Sequence, residues 1–230
     1  MPRIIRHFER HPPLRVEVYS NPATIDTFAD AGQEEVIPLG QKIAGSPGDF
    51  CSHFHAWAHE LGGVDLGATR IRLGITGLAQ DGVEIEQLRA RVLQPKDLPL
   101  GGTPLLCPSG GEAAVRAITI DLDSPNPLGH YVGRTGQRPL AFTFKKGESE
   151  DLDVVATTKR CYCRWVLELQ VRVAGKSHPM TIKDHGKAFE TSARRGDATY
   201  AWDFKSRWNL VGDAGISPPV PTSKFRPLWR

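Results

Sequence analysis

One stretch of the chain alternates between apolar and polar side chains as a long β-strand does. From Cys161 to Val173 every odd-numbered position is apolar, namely Cys161, Cys163, Trp165, Leu167, Leu169, Val171 and Val173. A period of two puts one face of a strand in a core and the other toward water. At about 3.3 Å per residue this strand runs roughly 40 Å, long enough to organise an antiparallel sheet. Both cysteines are thereby predicted to face the core.

The rest of the chain is also predicted to be rich in strands. The content of 23 glycines and 18 prolines is typical of short strands joined by turns. The apolar phase flips after Glu86, which predicts a β-bulge near Gln87, with a helix over 84–93 as the alternative. Region 20–48 is predicted to be irregular. Short alternating runs predict strands at 14–19, 70–76, 83–86, 118–122, 140–144, 152–156, 180–182 and 200–204.

These patterns predict a mainly β protein: an antiparallel β-sandwich or jelly-roll-like domain with one short amphipathic helix and extended termini. The chain divides into a basic lead (1–13), a single domain (14–204) and a basic, proline-rich tail (205–230). The lead carries a net charge of +2 and the tail +4, which leaves −3 for the domain in a chain of +3. Because nucleic-acid-binding folds concentrate basic residues on the folded surface, we expect no nucleic-acid partner. Weak binding through the tails is the alternative.

The helix is predicted from about 49 to 61. Asp49 is a plausible N-cap, and Phe50, Phe54 and Trp57 recur at helical spacing. The pair Gly62-Gly63 is expected to end the helix.

The same segment carries the strongest metal-ligand pattern, with Cys51, His55 and His59 four residues apart. Zinc holds its donors at about 2.0–2.3 Å, whereas positions i and i+8 of a helix lie about 12 Å apart. One ion can therefore take His55 and His59, or Cys51 and His55, but not all three. No glutamate follows His55 as the protease motif His-Glu-x-x-His requires, since Ala56 stands there. A polar flank beside the apolar helix face is the alternative.

Two other polar groups suggest chemistry more weakly. Asp121, Asp123 and Asn126 offer oxygen ligands for calcium, but a strand end running into a turn explains them equally. Asp184 and His185 are adjacent, and neighbours in a strand point to opposite faces, so they are predicted to form a β-turn rather than a catalytic pair. No nucleophile-elbow, phosphate-loop or dinucleotide glycine motif is present. The sequence does not favour an enzyme.

The four cysteines allow two interpretations. Same-face neighbours on a strand lie about 7 Å apart, so Cys161 and Cys163 are predicted not to bridge to each other. In an oxidising compartment each of them could pair with Cys51 or Cys107, which leaves two of the three connectivities. In a reducing compartment they are two buried free thiols, which is the favoured interpretation.

Five short motifs of the chain form a recognisable series. They are Trp57 with Gly62–Asp65, Ile120–Pro125, Phe144–Glu148, Cys161–Trp165 and Asp184–Phe189. Together they resemble a family of proteins from high-GC Gram-positive bacteria (actinobacteria) that has no established function. The resemblance covers residues 14–204, and it implies no catalytic or binding residue. Many members carry a transmembrane helix before the first strand, whereas here only a basic lead of 13 residues precedes Leu14.

The chain as written has no apolar run long enough to span a bilayer and no signal peptide. It is expected to be cytoplasmic, or extracytoplasmic and membrane-anchored if a segment upstream of Met1 is missing. The leading functional hypothesis is a non-enzymatic β-sandwich module that presents a surface to a protein partner, near the membrane if anchored. No cofactor is predicted under that hypothesis. The alternative is a metal-binding or metal-dependent protein that uses His55 and His59, with Cys51 replacing one of them.

Overall fold

The fold was analysed in a computed structural model. It describes residues 12–22, 25, 33–39, 41, 47, 53–96, 98–107, 117–133, 136–138, 140, 142–195, 199–202, 207–212, 215–216 and 220–221. Within these residues the protein is mainly β, with one short helix, as the sequence predicts. No described helix combines the length and the apolar composition that a bilayer span requires.

The strands and the helix follow one another from Leu14 to Pro221. In chain order they are β1 Leu14–Tyr19, β2 Gln33–Pro38, α1 Phe54–Glu60, β3 Val64–Leu66, β4 Ala68–Gly77, β5 Val83–Lys96, β6 Gly102–Cys107, β7 Ile118–Asp121, β8 Gly129–Gly133, β9 Gly136–Arg138, β10 Phe142–Phe144, β11 Ser149–Thr157, β12 Tyr162–Val173, β13 Lys176–Ile182, β14 Phe189–Ser192, β15 Thr199–Trp202, β16 Arg207–Gly212, β17 Gly215–Ile216 and β18 Val220–Pro221. Strand β2 lies within the region predicted to be irregular, and the last three strands lie within the segment predicted as a tail.

The strands form two sheets. The smaller has the order β1-β4-β11-β7-β8-β9, and the larger has the order β10-β5-β12-β14-β3-β2-β6-β15-β16-β17, with β13 also on β12 and β18 on β16. Apolar side chains from both sheets form one buried cluster, which includes Ile71, Leu73 and Val154 from the smaller sheet and Trp165 and Leu167 from the larger. The β-sandwich prediction is confirmed.

Strand β12 is the long strand that the sequence predicts, and its odd positions are buried. Trp165 is fully buried, stacks on Phe189 with ring centroids 4.7 Å apart, and donates its Nε1–H to Thr191 Oγ1 at 2.9 Å. The predicted bulge on β5 is confirmed as well: Gln170 pairs with Gln87 but Val171 pairs with Ile85, so one residue of β5 is unpaired. The helical alternative for 84–93 is wrong.

The prediction that Cys161 and Cys163 do not bridge to each other is wrong, because the structure joins them in a disulfide. Cys161 lies one residue before β12 begins, so the two cysteines are not both held in one regular strand. The two Cα atoms consequently lie 5.6 Å apart, within the range of disulfides. Cys107 is also disulfide-bonded, whereas Cys51 lies outside the described residues. The described cysteines are therefore buried but not free thiols.

Helix α1 begins later than the sequence predicts. It runs from Phe54 to Glu60, and its N-cap is His53, with no side-chain capping hydrogen bond. The backbone N–H of His53 instead donates to the Pro47 carbonyl at 3.0 Å. Asp49 and Phe50 lie outside the described residues. The assignment of Asp49 as N-cap is wrong.

The strands β13 and β14 lie one after the other along the same edge of β12. Residues 182–176 pair with 167–173 of β12, and 189–192 pair with 165–162. The residues between them leave the sheet as a tight turn, in which Asp184 and Lys187 exchange two backbone hydrogen bonds. His185 and Gly186 both have positive φ, as a two-residue turn of type I′ requires. This turn, 183–188, borders the site described next.

Candidate metal centre

Two carboxylates lie directly opposite each other in the interior of the larger sheet. Glu35 of β2 pairs with Asp65 of β3 in the antiparallel register, and their side chains are only 2% and 10% exposed. Like charges at directly opposite positions repel each other, and burial removes the water that would screen them. Such a pair therefore needs protons or cations beside it.

Helix α1 supplies two histidines at this point. Phe54, Trp57 and Ala58 pack the helix onto Ile37 and Leu105, so its orientation is set by apolar contacts. The next face of the helix then carries His55 and His59, one turn apart, with ring centroids 4.1 Å apart. The helix lies over β2 in such a way that both rings face the carboxylates.

The chain reversal at the end of helix α1 places Asp65 close to His59. Gly63 N–H donates to the Ala58 carbonyl at 2.8 Å and Gly62 N–H donates to the His59 carbonyl at 2.9 Å, the two bonds of a Schellman motif. Gly62 has φ +75°, and a Cβ on Gly63 would lie 2.6 Å from the Ala58 carbonyl oxygen. Only glycines allow this reversal, which leads straight into β3. The sequence prediction that this pair ends the helix is confirmed.

The donor atoms of the four residues converge. One ligand atom from each of Glu35, His55, His59 and Asp65 lies within 4.8 Å of the others. His59 Nε2 is 3.5 Å from Glu35 Oε2 and 3.5 Å from Asp65 Oδ1, and His55 Nδ1 is 3.6 Å from Asp65 Oδ1. His55 Nδ1 is hydrogen-bonded to Glu35 Oε1 at 2.8 Å. We call this group the EHHD cluster.

Most of these separations are too long for good hydrogen bonds but suit a coordination shell. Donors held about 2.0–2.1 Å from a tetrahedral ion are about 3.3–3.4 Å from one another. The buried Glu35 Oε2 accepts no hydrogen bond from the described residues, and its charged contact is His59 Nε2 at 3.5 Å, itself a proposed ligand. His55 Nδ1 and Glu35 Oε1, at 2.8 Å, are about 0.5 Å closer than two ligands of a tetrahedral ion.

Without an ion, the histidines neutralise the carboxylates by holding protons. Burial by itself would lower the pKa of His59, but its contacts with Asp65 and Glu35 and their negative charges raise this pKa to about 10. Burial would likewise raise the pKa of Glu35, yet the two histidines lower it to about 2. The pKa of Asp65 is raised by burial and by the charge of Glu35.

In the metal-free protein we expect the ring of His59 to stay protonated until the pH approaches about 10. A raised pKa contributes stability that is complete below the ordinary value of about 6.5 and is lost as the pH rises through the folded value. Asp65→Asn should lower the pKa of His59, because it removes one acceptor and its charge. NMR titration of the histidine ring resonances measures the pKa of His59 in the wild type and in Asp65→Asn. The His59 resonances are identified by their absence from the spectrum of His59→Gln. Titration of His59 near its ordinary value would show that the carboxylates do not contact it.

A cavity of about 590 Å³ opens beside the EHHD cluster. His55, His59 and Asp65 line it, and His59 is 40% exposed. Glu35 is not part of the lining, so it lies behind the other three. The turn 183–188 and Phe189 of β14 form another part of the wall. An ion held by the cluster would be reached from the cavity.

The structure brings together only part of the predicted ligand set. His55, which is buried, and His59, which is 40% exposed, both contact the carboxylates, whereas Cys51 lies outside the described residues. Glu35 and Asp65 are not predicted as ligands from the sequence. Their only sequence signal is a charged residue beside strongly apolar neighbours, in Glu35-Val36-Ile37 and Val64-Asp65-Leu66.

The residues proposed for calcium are engaged in local bonds. Asp121 accepts the backbone N–H of Asp123 at 3.0 Å, and Asp123 accepts the Thr158 hydroxyl at 2.8 Å and the Lys159 backbone N–H at 2.7 Å. These bonds tie the turn after β7 to the turn before β12. The metal-ligand grouping found among the described residues does not include them.

The predicted turn at Asp184 and His185 is confirmed, but the expectation that the two side chains point apart is wrong. His185 Nδ1 lies 2.7 Å from Asp184 Oδ1, because a type I′ turn does not alternate its side chains as a strand does. Asp184 Oδ1 also accepts the Ser20 hydroxyl at 3.1 Å. The ring of His185 is 81% exposed, so it lies in water.

Comparison with known proteins does not identify a relative. No protein-family model matches the chain, and no curated protein gives a significant match. The actinobacterial resemblance stays a prediction.

Proposed function

We propose that this protein binds one divalent transition-metal ion, with zinc the best-fitting ion, through Glu35, His55, His59 and Asp65. The observation that carries the proposal is the convergence of four donor atoms within 4.8 Å at the end of helix α1. The alternative hypothesis from the sequence, a metal site at His55 and His59, is thereby extended by two carboxylates.

The burial of the carboxylates supports this proposal. Glu35 and Asp65 are cross-strand neighbours in the larger sheet, and their side chains are only 2% and 10% exposed, so little water screens the repulsion between them. A divalent cation would neutralise both at once and leave the histidines unprotonated. The environment of Glu35 Oε2 also supports it, since this buried atom accepts no hydrogen bond within the described residues and lies 3.5 Å from His59 Nε2.

The donor set narrows the choice of ion. Two imidazole nitrogens with two carboxylate oxygens suit zinc, and iron, nickel or manganese are the competitors. Calcium prefers six to eight oxygen ligands and accepts imidazole poorly. A zinc ion at this site could also bind an exogenous ligand, because zinc can expand its coordination to five ligands and the cavity gives access to the ion.

We expect purified protein to contain about one zinc per chain after incubation with zinc and removal of the excess. His55→Ala should abolish this stoichiometric metal, because it removes a donor from the centre of the EHHD cluster. The measurement is elemental analysis together with calorimetric titration.

His53→Ala is the matched control. His53 lies one residue before the helix, is exposed, and makes no capping bond through its side chain, so its removal should leave the metal content unchanged. Wild-type protein that takes up no transition metal would refute the proposal. Equal loss in both variants would point to a folding defect instead.

The other hypotheses from the sequence stay predictions. A protein partner for the β-sandwich and weak nucleic-acid binding through the tails receive no specific support from the described residues. For the compartment, the disulfides at Cys107 and between Cys161 and Cys163 favour the oxidising, extracytoplasmic alternative.

A further inference from the structure

The cavity beside the EHHD cluster is lined by cationic side chains that form no ion pair within the described residues. Five ionisable residues line its walls outside the cluster: Arg164, Lys183, Asp184, Lys187 and Glu190. Side chains that form an ion pair within the described residues have their charge balanced. The charges that are not balanced in this way determine which ligand the cavity favours.

Both acids have partners. Glu190 Oε1 pairs with Arg164 Nε at 2.8 Å, and Glu190 Oε2 accepts the Tyr162 hydroxyl at 2.6 Å. Asp184 accepts hydrogen bonds from Ser20 and His185. Arg164 is thus paired with Glu190, and among the described residues neither acid forms an ion pair with a lysine.

The two lysines have no such partner. Lys183 and Lys187 are exposed at the two ends of the turn 183–188, and within the described part of the chain neither makes an ion pair. The turn is held by two backbone hydrogen bonds between Asp184 and Lys187, so both lysines are fixed to one rim of the cavity. His55, His59 and Asp65 line the same cavity.

With the metal bound, the two lysines leave the cavity with a net positive charge. Glu35 and Asp65 carry two negative charges, which a divalent ion with two neutral histidines balances. The paired charges of Arg164 and Glu190 cancel. The remaining groups on the walls are Lys183, Lys187 and Asp184, which together favour an anion.

We infer that the cavity binds a small molecule that carries a phosphate or sulfate group, with one oxygen of the group on the metal and the others on Lys183 and Lys187. This inference rests on the proposed metal site and names its ligand class. A tetrahedral oxyanion suits it, because it presents oxygens in several directions at once and accepts charge-assisted hydrogen bonds from ammonium groups. The volume of about 590 Å³ leaves room for an attached organic part.

The test uses cobalt-loaded full-length protein with inorganic phosphate and, separately, sulfate as probes. Cobalt(II) reports its coordination in its visible spectrum, so entry of an oxygen ligand from the cavity should change the spectrum saturably. Lys183→Ala and Lys187→Ala should each weaken anion binding by about tenfold while the cobalt content stays at one per chain. The tighter of the two anions identifies the group that the natural ligand carries.

Lys176→Ala is the matched control, since Lys176 is an exposed lysine of β13 outside the cavity lining, and the variant should bind both anions as the wild type does. Cobalt-loaded protein whose spectrum responds to neither anion would overturn this inference and leave the metal site intact. Unchanged affinity in both lysine variants would overturn it as well. Protein that takes up no cobalt or zinc would overturn the proposed function, and this inference with it.

Discussion

Trp165→Ala is expected to lower the free energy of unfolding by about 3–5 kcal/mol, the usual cost of truncating a large core aromatic. Among the residues whose burial the structure describes, Trp165 is the largest fully buried side chain, at 0% exposure, and it lies in the core between the two sheets. Its removal would leave a cavity beside Phe189 and take a hydrogen-bond donor from Thr191. Urea denaturation followed by circular dichroism measures the change.

Two further variants make this result specific. Trp165→Phe keeps an aromatic ring but loses the Nε1–H, so it should cost about 1–2 kcal/mol. Leu98 is 75% exposed, and Leu98→Ala should change the free energy of unfolding by no more than about 0.5 kcal/mol. A cost below about 1 kcal/mol for Trp165→Ala would contradict the placement of β12 in the core.

Glu35→Gln is expected to weaken zinc binding by more than about 100-fold, beyond the effect typical of residues that only support a ligand. The substitution keeps the shape of the side chain but removes the charge of a carboxylate whose Oε2 has no hydrogen-bond partner. Competition with a chromophoric zinc chelator measures the affinity. At a zinc concentration about 100 times the dissociation constant, the wild type should gain about 2.7 kcal/mol of stability, and the variant should gain little at that concentration.

Glu34→Gln is the matched control, because Glu34 is the adjacent residue on the opposite face of β2. Its carboxylate pairs with Arg194 at the surface and takes no part in the EHHD cluster. Zinc affinity should therefore be unchanged in Glu34→Gln. If Glu35→Gln bound zinc as tightly as Glu34→Gln does, Glu35 would not be a ligand.

The metal-free Glu35→Gln protein should also be less stable than the metal-free wild type, by about 3 kcal/mol, since removing one member of a buried charged group leaves the others uncompensated. Comparison of the variants with and without zinc thus separates two roles of Glu35. One role is to balance the protonated histidines, and the other is to hold the ion.

Several elements of this protein follow from signals that are local in the chain. The alternation from Cys161 to Val173 specifies β12, the phase flip after Glu86 specifies the bulge on β5, and Gly62-Gly63 specifies where α1 ends. Side-chain periodicity and glycine conformation depend on neighbouring residues along the chain, so no tertiary information is needed. The spacing of His55 and His59 on one helix face follows in the same way.

The groups that those histidines contact depend instead on long-range pairing. Glu35 lies 20 residues before His55, on a strand within a region predicted to be irregular, and it reaches Asp65 only because β2 pairs with β3. The Cys161–Cys163 bridge likewise depends on where β12 begins, because Cys161 lies just before the first paired residue of the strand. Which strands pair depends on the packing of the whole core, and therefore on residues far apart in the sequence. Two ligands of the candidate site are therefore visible in the sequence, and the pairing of distant strands supplies the other two.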